Sequence, residues 1–504
     1  MPKMMANDSD LADEFGLDTD AVTVDLPELQ SLINSETTSS GKMSKLSTIF
    51  RFSRSLNNSQ MAILARIKGH FYEIILAQQI SVVAVEDDFV VLTKHCDPDQ
   101  RTAHRIKCYD AATAQMLGER MVRVFHKPAS PYSACFPPHD AARCRIFMCA
   151  AAYFEAVADA MMAARHTIMI ADWFFSCELY LKRAKGHPLA AEWRLDNLLQ
   201  RKAREGVQIY VMIYKDIAVQ CGSKIAKTRL ETLHDNVHVV LHRPPPIPKL
   251  IIWTHHQKFV VIDNALSFIG GIDLAFGRFD TPSHPLLDPP RNGSVVMPGM
   301  DYTNPQLAGC GRSDSAIQRP FRDLFDRSTT PRMPWQDYQV CINGEAARDI
   351  GLNFIQRWNE HISDKAKTSV PIWPTFHKHE WMFPGGWGGA RTQVLRSMGP
   401  WSGHSTWEKS IYFATIQAIQ QSKHYVYIES QFFISAPRGV RTQVVNLVAQ
   451  ALGDRIARAI EWEKKHGEVR APRVLNICKK RRRDLLLLLL LTSLFTTHTP
   501  PTLP

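Results

Sequence analysis

Trp253-Thr254-His255-His256-Gln257-Lys258-Phe259-Val260-Val261-Ile262-Asp263 contains a His-x-Lys-x4-Asp pattern, and the chain holds that pattern once. His256 and Lys258 are two apart, so on a strand both side chains project to one face. Phe259 to Ile262 is an apolar, β-branched run that reads as a buried strand. Asp263 closes it, where its carboxylate either orients the imidazole or holds the turn that follows. The residue types suit phosphoryl transfer. Much of an imidazole population is unprotonated at neutral pH and can attack phosphorus. A lysine ammonium beside it can hold the non-bridging oxygens as charge builds on them. The competing reading is a buried strand that carries a His and a Lys by chance, and the flanking sequence decides between the two.

Helix and strand alternate around this stretch. Tyr153 to Ala164 reads as a helix, Thr167 to Ile170 as a strand, Trp193 to Glu205 as a helix and Val207 to Tyr214 as a strand. Such alternation predicts an α/β fold with a largely parallel sheet and flanking helices. The chain also repeats itself. Residues 156–175 lie on residues 414–433 at a constant offset of 258, with Ala156, Ala160, His166, Ile170, Phe174 and Phe175 matching Ala414, Ala418, His424, Ile428, Phe432 and Phe433. A helix follows in each copy, then a strand, which in the second copy is Val474 to Ile477. This is the signature of a duplicated α/β unit. Asp172 and Trp173, at the strand end of the first copy, are expected to line a pocket mouth. Glu429 and Gln431 take the same place in the second. The repeat puts the counterpart of His256 near position 514, beyond residue 504, so the second half reads as incomplete.

Charge is uneven. The whole chain carries +11, yet residues 1–41 hold nine acidic residues against one lysine, a net charge of −8, which leaves +19 on the remainder. A basic body suits an anionic partner, a membrane surface or a nucleic acid. Residues 1–45 read as a disordered acidic tail. Residues 46–127 contain strand-like runs, Ile80 to Val85 and Phe89 to Leu92, that suggest a small β-rich module. Thr281 to Asp326, rich in Pro, Gly and Ser, reads as a long loop. Residues 478–504 combine a basic run with seven leucines, a low-complexity end unlike anything upstream. The ten cysteines include no C-x-x-C pair, which predicts reduced thiols in the cytosol and no zinc site. No apolar run reaches the roughly 20 residues that span a bilayer, so lipid is met from the surface.

The motif with its flanks resembles the first catalytic motif of eukaryotic phospholipase D. It reads Trp253-x-His255-His256-x-Lys258, the apolar strand, then Phe268-Ile269-Gly270-Gly271-Ile272-Asp273-Leu274-Ala275-Phe276-Gly277-Arg278-Phe279-Asp280. Four further segments are similar to the same family, in the same order. They are Ile170-Ala171-Asp172-Trp173-Phe174-Phe175 with Glu178 to Arg183, and Trp193 to Leu199. Then come Thr329 to Trp335 with Phe354 to Asn359, and Tyr427 to Ser435. The likeness runs from about Arg145 to Val440, and Gln257 stands where the family usually has Glu.

That resemblance implies two motifs meeting across a pseudo-twofold axis, in halves that here would span 145–365 and begin at 366–477. One histidine attacks the phosphodiester, and the other protonates the leaving alcohol. By resemblance His256 is the nucleophile, Lys258 the phosphate clamp and Asp263 the supporting catalytic residue. Asp172, Trp173, Glu429 and Gln431 face substrate, with Arg332 and Trp335 nearby. The implied reaction is hydrolysis of phosphatidylcholine to phosphatidate and choline through a phosphohistidine, with no cofactor and no metal. The implied partners are a phospholipid membrane surface and an anionic lipid activator such as a phosphoinositide, with no nucleic acid. The implied location is cytoplasmic and peripheral to the membrane. With one motif present, the chain is expected to be impaired. Two other readings stay open, an inactive lipid-binding or regulatory protein and a single-motif phosphodiesterase or nuclease working as a dimer.

Overall fold

The computed structural model describes residues 131–184, 187–215, 222–244, 254–304, 319–362, 388–403, 408–430, 433 and 446–466, and the backbone of six further strands between 62 and 107 and at 473–478. The expected tail at 1–45, the expected tail at 478–504 except for Cys478, which ends a strand, and Gln431 lie outside the described residues. Two compact units, Met1–Glu408 and Lys409–Pro504, make up the chain.

In the first unit, β1 (Ala62–Ile67) pairs antiparallel with β2 (Phe71–Leu76). β3 (Ile80–Glu86), β4 (Phe89–Lys94) and β5 (Ala103–Lys107) form a three-stranded antiparallel sheet. The main body follows as β6 (His139–Met148), α1 (Ala150–Ala163), β7 (Thr167–Asp172), α2 (Leu195–Arg204), β8 (Gln208–Tyr214), α3 (Ser223–Glu231) and β9 (Val237–His242). Then come β10 (Lys258–Ile262), β11 (Leu266–Gly270), β12 (Tyr338–Asn343), α4 (Glu345–His361) and β13 (Gly388–Thr392).

These strands make one eight-stranded sheet in the order β13-β6-β12-β11-β10-β7-β8-β9. The α/β expectation stands, but parallel pairing is confined to β7–β8–β9, and the other neighbours pair antiparallel. The cause is the connection. A helix crosses over between β7, β8 and β9, which keeps strand direction. Between β10 and β11 the chain turns within Asp263 and Asn264, both in the left-handed region at φ 51°, and Ala265 N–H donates to Ile262 O at 3.0 Å. Two central residues of positive φ match the twist of the flanking strands and reverse the chain.

Strand residues alternate between two cores. Ile168, Ile170, Val211, Val260, Ile262 and Phe268 pack with α1, α2 and α3. Met169, Ala171, Met212, Phe259 and Val261 pack with Ile350, Phe354 and Trp358 of α4. Covering on both faces is why these strands are nearly continuous in apolar residues.

The second unit contains α5 (Ser410–Gln421), β14 (Tyr425–Ser430), α6 (Val448–His466) and β15 (Arg473–Cys478). β14 and β15 pair parallel from Tyr425↔Arg473. Ile419, Ala451 and Leu452 are its buried centre, with Val426 and Ile428 against them.

Candidate active site

One edge of the large sheet gathers the polar side chains. β7 and β11 end there, while β10 and β12 begin there, because the latter run antiparallel to their neighbours. The edge therefore collects Asp172 and Trp173, His256 and Lys258, Gly270 to Asp273, and Asp337. Lys258 pairs with Gly270 across β10–β11, and stands one step beyond the Phe259↔Ala171 pair, opposite Asp172.

Lys258 is buried, and its ammonium lies 3.1 Å from Asp273 Oδ1. The Arg278 Nη2 group donates to Asp273 Oδ2 at 3.2 Å, so one carboxylate holds two cations. Arg278 also lies over the Trp335 ring at 3.9 Å and the Phe174 ring at 5.3 Å, contacts that fix its plane. His256 is exposed on its outer side and stands 5.4 Å from the Trp173 ring. Crowding by protein atoms, then the Lys258 charge, lowers its imidazole to about 4, while Asp273 pulls the other way. At neutral pH the ring is unprotonated, the form a nucleophile needs. Asp172, expected at the pocket mouth, is instead 2% exposed and lies beneath the edge. Burial, reinforced by the Asp273 charge, holds its carboxyl well above the usual carboxylate range. Burial also raises Asp337, which feels Lys258, Asp273 and Arg278.

Asp263 lies at the other end of β10, about 17 Å from Lys258 at strand spacing. Its carboxylate accepts from the backbone N–H groups of Arg165, His166 and Thr167 at 2.9, 2.8 and 2.7 Å. It therefore locks the entry of β7 and the hairpin turn. Of the two roles its sequence position allowed, it takes the turn, so it is a positioning residue rather than a group beside the imidazole.

His255, next to the exposed His256, is buried on the opposite side. Its ring stacks on His242 at 4.6 Å, and His242 stacks on His361 at 3.9 Å. His242 Nε2 meets Ser402 Oγ at 2.8 Å. Burial depresses all three rings, so they stay neutral at pH 7. Gln257 is tied to α4, accepting from Asn353 Nδ2 at 3.1 Å. Arg332, expected near substrate, is buried in an ion pair with Asp280 at 2.8 Å and braces the loop behind Trp335. Glu429 belongs to the second unit, where it is exposed and accepts from Tyr427 Oη at 3.0 Å.

A family model for phospholipase D matches residues 160–468. The chain belongs to the phospholipase D family. Phospholipase D A of Dictyostelium discoideum is 42% identical over 333 residues, covering 64% of this chain and 24% of that protein. Phospholipase D2 of Bos taurus is 36% identical over 396 residues, covering 71% of this chain and 41% of that protein. The chain thus spans well under half the length of these relatives. Nuc from Salmonella typhimurium, a phospholipase D family member of known crystal structure, aligns with 43% of this chain and 95% of its own at 11% identity and a TM-score of 0.24. A likeness that slight carries no argument.

Within this phospholipase D family chain, sequence reasoning named His256, Lys258 and Trp173, and the structure brings these three together. It passed over Asp273, Arg278 and Asp337. The signal for the first two was present in Gly270-Gly271-Ile272-Asp273 and the arginine five residues on. Among the described residues no helix is long and apolar enough to cross a membrane, and no group of three or more His, Cys, Asp or Glu is arranged to hold a metal ion.

Proposed function

We propose that this chain carries the nucleophile's half of a phospholipase D active site and opens a phospholipid phosphodiester with His256 at a membrane surface. The observation that carries the reading is the neutral, solvent-facing imidazole of His256 beside the Lys258–Asp273–Arg278 cluster. The imidazole attacks phosphorus, and the bond to the alcohol oxygen breaks. Lys258 and Arg278 hold the non-bridging oxygens, which gain charge in the transition state. A phosphohistidine results, and water then releases phosphatidate. Trp173 walls the approach to the ring.

The leaving choline oxygen needs a proton, and a positioned general acid typically contributes 10²–10⁴-fold. The family takes that acid from a second His-x-Lys-x4-Asp, and these 504 residues contain one. Turnover by this chain alone is accordingly trace. Phosphatidylcholine is the substrate class, an anionic lipid such as a phosphoinositide is the expected activator, and the location is cytoplasmic and peripheral.

The test uses phosphatidylcholine vesicles with added butanol. A covalent intermediate partitions between water and alcohol, so phosphatidylbutanol should form and His256→Ala should abolish it. Hydrolysis without any alcohol adduct, or full activity in His256→Ala, removes His256 from the role. Because the imidazole is lowered to about 4, the acid limb of the rate profile should fall below pH 6. A decline centred near the ordinary histidine value of about 6.5 contradicts this.

A further inference from the structure

Two carboxylates are buried side by side beneath the reacting edge, and their surroundings differ. Each clasps the loop that carries the other. Asp172 Oδ2 accepts from the N–H of Leu274, the residue after Asp273, at 3.2 Å. Asp273 Oδ1 accepts from the N–H groups of Trp173 and Phe174, the residues after Asp172, at 3.3 and 3.1 Å. The ends of β7 and β11 are thereby cross-tied. Asp273 holds both cations, Lys258 at 3.1 Å and Arg278 at 3.2 Å. Among the described residues Asp172 pairs with neither, and its Oδ1 is buried with no hydrogen-bond partner. A charged oxygen left bare in the interior is costly, whereas a neutral acid costs far less.

Resting on the site reading above, we propose that Asp172 is a positioning residue that works as a neutral carboxylic acid, keeping the proton of the Asp172–Asp273 pair so that Asp273 alone carries the negative charge that sets Lys258 and Arg278. The two cations then face one buried charge from this pair and not two, which leaves positive potential for an incoming phosphodiester. The groups around Asp172 are consistent with this. Tyr153 of α1 faces it with a phenol that burial keeps neutral. Lys258 and Arg278 face it from β10 and the loop after β11, and their pull is outweighed by burial and by Asp273. Asp337 acts on the same cations from the segment before β12.

Asp172→Asn separates charge from shape, since the amide still accepts from Leu274 and cannot ionise. For a carboxyl raised on folding, the stabilisation is full below the unfolded value of about 3.9 and is lost as pH climbs through the folded value. The melting temperature of the 504-residue parent should therefore fall relative to Asp172→Asn as pH rises from about 4 through neutrality. Asp273→Asn strands two buried cations and should melt below the parent throughout. An infrared band of a protonated carboxyl at neutral pH should be present in the parent and vanish in Asp172→Asn. On vesicles, Asp172→Asn should turn over at least ~10-fold faster than Asp172→Ala. A melting difference that is flat with pH or an unchanged band overturns the proposal, as does equal and measurable turnover of the two Asp172 variants. The melting and infrared measurements need no turnover, so a failure of the phospholipase reading leaves them decisive.

Discussion

β7 and β14 stand at matched positions of the repeat, 258 residues apart, and they are packed differently. Their helices end in register, Ala163 against Gln421, and their strands begin in register, Thr167 against Tyr425. Thr-Ile-Met-Ile-Ala-Asp in β7 is buried from Ile168 onward, between β10 and β8. Tyr-Val-Tyr-Ile-Glu-Ser in β14 alternates, with Val426 and Ile428 half-buried and Tyr425, Tyr427 and Glu429 exposed. Among the described residues β14 pairs with β15 alone. An apolar run marks a strand covered on both faces, and alternation marks one open face. At the strand end Asp172 is replaced by Ser430. A repeat thus transmits the scaffold, while the polar chemistry at the end of β7 comes from the neighbours β10, β11 and β12.

Breaking the lock on β7 is the largest test of that contrast. Asp263→Ala removes three hydrogen bonds from backbone N–H groups to a buried carboxylate, and a hydrogen bond to a charged group contributes about 1.5–3 kcal/mol. Denaturant unfolding should show a loss of about 4 kcal/mol or more. A loss near 1 kcal/mol would mean that β7 is held by packing alone. The next test makes the same change in both copies. Ile170→Ala should cost about 3–5 kcal/mol, as core truncations do, and Ile428→Ala about 1–2, because its site is half-open. Equal losses would erase the difference between the copies. The smallest effect belongs to the open face. Tyr427→Phe removes a hydrogen bond between two exposed groups and should leave the unfolding midpoint unchanged. A measurable loss would show that this face is covered.

Local pattern made much of this legible. The strand read at Thr167 to Ile170 is β7, extended to Asp172, and the helix read from Tyr153 is α1, begun at Ala150. Val207 to Tyr214 became β8. The antiparallel half of the sheet was not legible, since periodicity reports which face is buried and not which strand lies alongside. β13 was hidden further. Its Gly-Gly-Ala-Arg-Thr has no apolar alternation and lies at the sheet edge. In the site, the closeness of His256 and Lys258 followed from spacing. Asp273 was missed because it reaches Lys258 only when the β10–β11 hairpin folds back. Asp172 was misplaced for a related reason, since a carboxylate at a strand end suggests solvent, and burial comes from the loop that covers it.

Gly271 lies in the tightest passage of the site. A Cβ there would sit 2.2 Å from Asp337 Oδ1, and one on Gly270 would sit 2.3 Å from the Tyr338 carbonyl oxygen. Neither glycine touches a reacting atom. Together they let the loop carrying Asp273 lie flush against the start of β12. The two segments are therefore bound to a shared history. A methyl group at 271 requires the Asp337 carboxylate to swing aside or the side chain at 337 to shrink, and either change moves or discards a carboxylate that acts on Lys258 and Arg278. Substitutions at 271 and 337 should therefore be coupled, each changing what the other position tolerates.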